Sequence, residues 1–174
     1  MSKIKAQILD VACGSKMFWF DRNNPDVLFC DIRNEEHILC DGRKLKINPD
    51  LVMDFRKLEF KDNNFKLIVF DPPHLKNVGQ NSWMAKKYGR LEKSWREDLK
   101  KGFNECWRVL KNDGVLIFKW SEKDIKVKEL IEIFGRRPIF GHTTNNKSQT
   151  IWMCFIKRDN SDDQTALVQN NNGA

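Results

Sequence analysis

Five short apolar runs, each carrying an acidic or basic residue toward its C-terminal end, constrain this chain more than any other feature. They are AQILDVACG (6–14), DVLFCDIR (26–33), PDLVMDF (49–55), FKLIVFDPP (65–73) and DGVLIFKW (113–120). Their apolar character is near-continuous rather than alternating, as expected of parallel strands covered on both faces. The segments between them supply the cover. LEKSWREDLKKGFNECWRVL (91–110) sets Leu91, Trp95, Leu99, Phe103, Trp107 and Leu110 along one helical stripe. SEKDIKVKELIEIFG (121–135) places Val127, Leu130, Ile131 and Phe134 on one face, with Ser121 as a possible N-cap and Gly135 at the end. SKMFWF leaves room for only a short helix between the first two strands. NEEHILCDGRKLKINP reads as a hairpin turning at Asp41-Gly42. RRPIFGHTT and SQTIWMCFIK, joined by NNK, form a closing antiparallel pair. The expected fold is α/β: a doubly wound, mostly parallel seven-stranded sheet ending in an antiparallel hairpin strand.

At 174 residues the chain suits one domain, expected over 1–159, and 160–174 has too little apolar content to pack. Twelve Phe and six Trp are available to fill the core. Cys13, Cys30, Cys40, Cys106 and Cys154 form no CxxC pair, and no secretory leader is expected before them. Reduced thiols and a cytoplasmic setting are expected. No apolar run approaches the roughly 20 residues that span a bilayer. His37, Cys40 and Asp41 invite a metal reading, but two candidate ligands and an unplaced acid make a weak one, and no metal is expected.

In a doubly wound sheet, ligands bind beyond the carboxyl ends of the strands. Asp10 to Gly14, Asp31, Asp54 and Asp71 to His74 all fall there, and such an acidic rim suits a ligand with a ribose, an adenine and a positive centre. Neither GxGxxG nor GxxxxGK is present, which weighs against dinucleotides and nucleoside triphosphates. The DPPH turn (71–74) is chemically pointed. Two successive prolines remove two backbone donors and fix two φ angles, so the strand leaves the sheet rigidly and holds its nearby oxygens in place.

LDVACG, then FCDIR, then MDF, then FDPPH resembles the Rossmann-like S-adenosylmethionine-dependent methyltransferases over roughly residues 6–157. Within them it is similar to the amino-methylating branch that includes the adenine-N6 enzymes, in a compact form resembling those of phages and prophages. The resemblance implies S-adenosylmethionine as cofactor. Asp10, Ala12, Cys13 and Gly14 would sit near its methionine half, Asp31 would grip the ribose hydroxyls, Asp54 would meet the adenine amine, and Phe55 would pack on the ring. Asp71 and the Pro72 carbonyl, aimed by Pro72 and Pro73, would accept from an acceptor amine. His74 stands where relatives place Tyr, Phe or Trp, and it stacks on the target base, makes a polar contact to substrate or serves a structural role. Met17, Phe18, Trp19 and Phe20 either pack under the sheet or wall the pocket. Lys119 either reaches the cleft, as lysines do in ribose 2′-O-methyltransferases, or is an ordinary strand-end charge. Lys16 is the nearest lysine to the first motif.

Between the DPP turn and the long helix, LKNVGQNSWMAKKYGR has no strong period and reads as a functional loop. Residues 76–101 hold eight Lys or Arg against three Asp or Glu, most of the net charge of +7. Lys86 and Lys87 suit phosphate contacts, and Trp83 and Tyr88 could stack on an unpaired base. The expected substrate is therefore a nucleic acid, with adenine N6 as acceptor and a partner protein possible for target choice. Protein glutamine amides, small molecules, ribose hydroxyls and an inactive binding module are the alternatives. His142 could line or cap the rim of the cleft.

Overall fold

The computed structural model describes residues 6–79, 82–141 and 150–158. His142 and the expected tail at 160–174 lie outside the described residues. In chain order the strands are β1 (Ile8–Asp10), β2 (Val27–Asp31), β3 (Glu35–Ile38), β4 (Lys44–Ile47), β5 (Leu51–Val52), β6 (Phe65–Phe70), β7 (Leu110–Ser121), β8 (Phe140–Gly141) and β9 (Thr150–Ile156). Seven of them make one sheet, in the order β5-β2-β1-β6-β7-β9-β8. The pairs β1–β2, β1–β6, β2–β5 and β6–β7 are parallel, whereas β9 runs antiparallel to both β7 and β8. The doubly wound sheet and its closing antiparallel element are therefore as expected. The 34–49 segment is the expected hairpin, with β3 and β4 forming a separate two-stranded unit.

Register brings the strand ends together. Asp10 lies beside Val69 and Phe29, while Phe70, just before Asp71, pairs with Phe118, just before Lys119. The helix α2 (Trp95–Val109) buries Trp95, Leu99, Gly102, Phe103, Cys106 and Val109 against this sheet. Phe103 stacks on Phe134 of α3 (Val127–Phe134) with ring centroids 4.2 Å apart. Fully buried Phe70, Phe118 and Trp120 complete the core between them.

Three local expectations change. Residues 11–26 form turns rather than a short helix. Lys16 has φ 55°, and the Trp19 indole is drawn toward Asp10, so these bulky side chains are placed one by one instead of along a helical face. The helix α3 begins at Val127, with Lys126 as its N-cap residue, because Ser121 still belongs to β7 and the Glu122 carboxylate accepts from the Val127 amide. Finally, the segment read as a loop contains α1 (Trp83–Tyr88), started by Ser82, whose hydroxyl accepts from the Ala85 amide at 3.1 Å. With no buried residue, α1 left no apolar period to read.

Candidate active site

Two adjoining cavities open at the carboxyl end of the parallel strands. The first is lined by the 11–15 turn, Asp31 to Arg33, Phe55 and the Asp71–His74 turn, with Lys87 and Tyr88 reaching in from α1. The second is lined by Met84, Tyr88, Lys119, Ser121, Lys123 and Thr150 among others. Met17, Phe18, His74 and Tyr88 border both. The two roles open to the 17–20 segment are thus split by residue. Met17 and Phe18 wall the cavities, Trp19 packs inward against Phe29, and Phe20 is fully exposed.

Asp31 is buried and serves as a hub. One carboxylate oxygen accepts from the Gly14 amide at 2.8 Å, and the other accepts from the Arg33 amide at 2.9 Å and from its Nε at 3.3 Å. These donors fix the carboxylate at the cavity wall. Gly14 has φ 50°, and the nearest atom to a side chain added there is an Arg33 nitrogen 3.9 Å away. The space in front of this glycine is therefore open to a ligand approaching the backbone.

Asp10 is fully buried behind that wall. Its oxygens accept from the Ala12 amide at 3.3 Å and the Trp19 indole at 2.7 Å, and burial pushes its carboxyl up to about 7. It shapes the turn that Ala12, Cys13 and Gly14 present. Burial also raises the Cys13 thiol, which therefore packs as a neutral group. Phe55 lines the cavity because Gly102 leaves room behind it: a Cβ there would sit 2.5 Å from the Phe55 ring. Asp54 is directed elsewhere, bound at both oxygens by Arg56, which also reaches Asp98.

At the DPPH turn, Lys119 Nζ donates to Asp71 Oδ2 at 2.5 Å. Burial raises the Asp71 carboxyl, while Lys119 opposes the shift. Burial lowers His74, so its imidazole is held neutral near pH 7. Its ring centroid lies 5.9 Å from that of Tyr88 and 6.1 Å from that of Trp120. Lys119 thus reaches the cleft, and Lys16 does not join it, since its Nζ lies over the Phe29 ring. Of the α1 residues, Met84, Lys87 and Tyr88 face the cavities, whereas Trp83 is exposed and lines neither. Arg33 is the residue that sequence reasoning missed. Its Nη1 donates to the Lys86 carbonyl at 2.9 Å, a pairing across 53 positions with no local signal. His37 lies beside Glu35 at 3.4 Å, and among the described residues no cluster of three or more His, Cys, Asp or Glu could hold a metal ion. No helix there is long and apolar enough to cross a membrane.

No protein-family model matches this chain, and no curated protein matches it by sequence. Its fold is similar to that of solved structures. A TehB-like SAM-dependent methyltransferase from Corynebacterium glutamicum matches with a TM-score of 0.55 at 18% identity, over 88% of this chain and 81% of the other. A Pyrococcus horikoshii protein matches at 0.53 and 15% identity, over 87% and 81%. A SAM-dependent methyltransferase from Methanosarcina mazei matches at 0.53 and 11% identity, over 87% and 92%. The chain therefore shares the Rossmann-like fold of these proteins, including the seven-stranded sheet with its terminal antiparallel element.

Proposed function

We propose that this protein is an S-adenosylmethionine-dependent methyltransferase whose acceptor is the exocyclic amine of a nucleic-acid base, adenine N6 first among them. The observation that carries the reading is the placement of the Asp71–His74 turn where the two cavities meet. The likeness in fold to solved SAM-dependent methyltransferases supports the same cofactor here. When bound, S-adenosylmethionine supplies a methyl group on a sulfonium centre. The residues present suit it. Asp31 has the acceptor capacity for ribose hydroxyls, the open face of Gly14 admits close approach, and Phe55 offers an aromatic wall.

The chain's own chemistry centres on Asp71. Lys119 holds the carboxylate in one orientation, and the prolines fix the backbone that carries it. An amine donating to Asp71 and to the Pro72 carbonyl would be held for in-line attack, with its developing charge compensated. A carboxyl shifted upward by burial also suits an acceptor for the amine proton. Neutral His74, with Tyr88 and Phe18 nearby, gives the second cavity planar walls suited to a base, and Lys123 adds positive charge. Asp54, bonded to Arg56, lines neither cavity.

The Lys119–Asp71 pair also favours a second reading, in which the pair activates a ribose hydroxyl. A single experiment separates the two. Labelled S-adenosylmethionine is offered with duplex DNA, single-stranded DNA, RNA and cell protein, and the product is digested to locate the methyl group. Label in N6-methyladenine is the expected result. Label on a ribose oxygen would establish the second reading, and label on glutamine would overturn both.

A further inference from the structure

The helix α1 forms a wall of both cavities, yet none of its residues is buried. Among the described residues, its tethers to the rest of the fold gather at its C-terminal end. The Lys86 carbonyl accepts from Arg33 Nη1 at 2.9 Å, and Gly89, at φ 72°, packs so closely on Pro73 that a Cβ would lie 2.8 Å from that ring. The same guanidinium donates through Nε to Asp31 and has Glu35 3.7 Å from Nη1. One half-buried side chain therefore joins the acid that faces the first cavity to the helix that walls the second. Arg33 and Lys86 are 53 positions apart in sequence.

We propose that Arg33 is a positioning residue that couples occupancy of the cofactor cavity to the order of α1. The proposal rests on the cofactor reading given above. A ligand whose hydroxyls engage Asp31 restrains that carboxylate, and with it the guanidinium and the Lys86 carbonyl. Met84, Lys87 and Tyr88 are then held in place for the acceptor. The consequence is ordered binding: cofactor entry builds the acceptor wall, and acceptor binding in turn tightens the cofactor by the same factor.

Hydrogen exchange of the full chain, with and without S-adenosylhomocysteine, tests this directly. The Lys86 and Gly89 amides, which donate to Ser82 and Ala85, report on α1. In the wild type, saturating S-adenosylhomocysteine should slow their exchange by about fivefold or more, the lower end of common coupling strengths. Arg33→Gln loses the Nε bond to Asp31 and should need more ligand to saturate, but the two backbone donors to Asp31 remain, and at saturation the slowing should vanish. Arg33→Lys, likewise compared at saturation, should not restore it, since an ammonium lacks the planar fork that spans both acceptors. An unchanged melting curve for both variants excludes a folding defect. Equal protection of α1 in the wild type and Arg33→Gln would refute the coupling, as would ligand binding to the wild type without protection. Failure of the wild type to bind S-adenosylhomocysteine would overturn the cofactor reading, and the coupling with it.

Discussion

Asp31 and Asp71 occupy adjoining parts of one site, and their substitutions should separate binding from chemistry. Asp31→Asn removes the charge from a carboxylate proposed to accept from hydroxyls, interactions worth about 1.5–3 kcal/mol each. S-adenosylhomocysteine affinity measured by calorimetry should fall at least about tenfold. Asp71→Asn should leave that affinity within about threefold while methyl transfer falls by about a hundredfold or more, because its proposed partner is the acceptor. Asp10 behaves differently. Its carboxyl is raised from an ordinary 3.8 to about 7, so the folded chain holds this proton more tightly than the unfolded one. Between those values the folded state binds more protons, so Asp10's contribution to stability falls as pH rises and levels off above about 7. The melting temperature of Asp10→Asn minus that of the wild type should therefore increase from pH 4 to pH 7. A difference that shrinks over that window would contradict the burial argument. The acids at strand ends were legible in the sequence because they interrupt apolar runs. Their division into Asp31 at the cavity, Asp10 behind it and Asp54 turned to Arg56 was not, because it depends on which donors the folded chain delivers.

At the scale of elements, α2 and the 11–26 turns show what periodicity can and cannot reveal. The stripe at Trp95, Leu99 and Phe103 announced a buried helical face, and these residues are buried. Nothing in that stripe marked Gly102, whose missing side chain admits the Phe55 and Phe70 rings. Gly102→Ala sets two effects against each other. Alanine favours the helix by about 1 kcal/mol, whereas overpacking a close-packed site costs about 1–3 kcal/mol. With contacts of 2.5 and 2.9 Å to two rings the second should win. Urea unfolding should show net destabilisation, and cofactor affinity should drop because Phe55 is pushed toward the cavity. A more stable variant would mean that the rings give way freely. The turns at 11–26 and the helix α1 escape a local reading for a related reason. Both depend on bonds to groups outside the segment, among them Gly14 to Asp31 and Trp19 to Asp10 for the turns and Lys86 to Arg33 for α1, and no local pattern encodes such bonds.

For the whole molecule, the basic surplus at 76–101 is partly consumed within the fold. Arg90 pairs with Glu92, Arg96 with Glu129 and Lys101 with Glu97, while Lys86 and Lys87 form no salt bridge with another described residue. If these two lysines meet phosphates, Lys86→Gln with Lys87→Gln should weaken binding to many nucleic-acid sequences alike. The log–log salt slope should become shallower by a little under one unit for each phosphate no longer neutralised, as measured by anisotropy titrations across salt concentrations. An unchanged slope would place the phosphate-binding groups elsewhere. The sheet order carries a further consequence, for synthesis. A ribosome delivers β9 after every other described strand, yet β9 is an interior strand, zipped to β7 through seven consecutive residue pairs from Val115–Ile156 to Ser121–Thr150. Until it emerges, β7 offers a long unpaired edge, and β8 has no strand to join. Open edges of this kind recruit other chains. Nascent chains arrested before residue 150 should therefore bind chaperones and aggregate when released, whereas chains that include β9 should leave the ribosome with that edge closed.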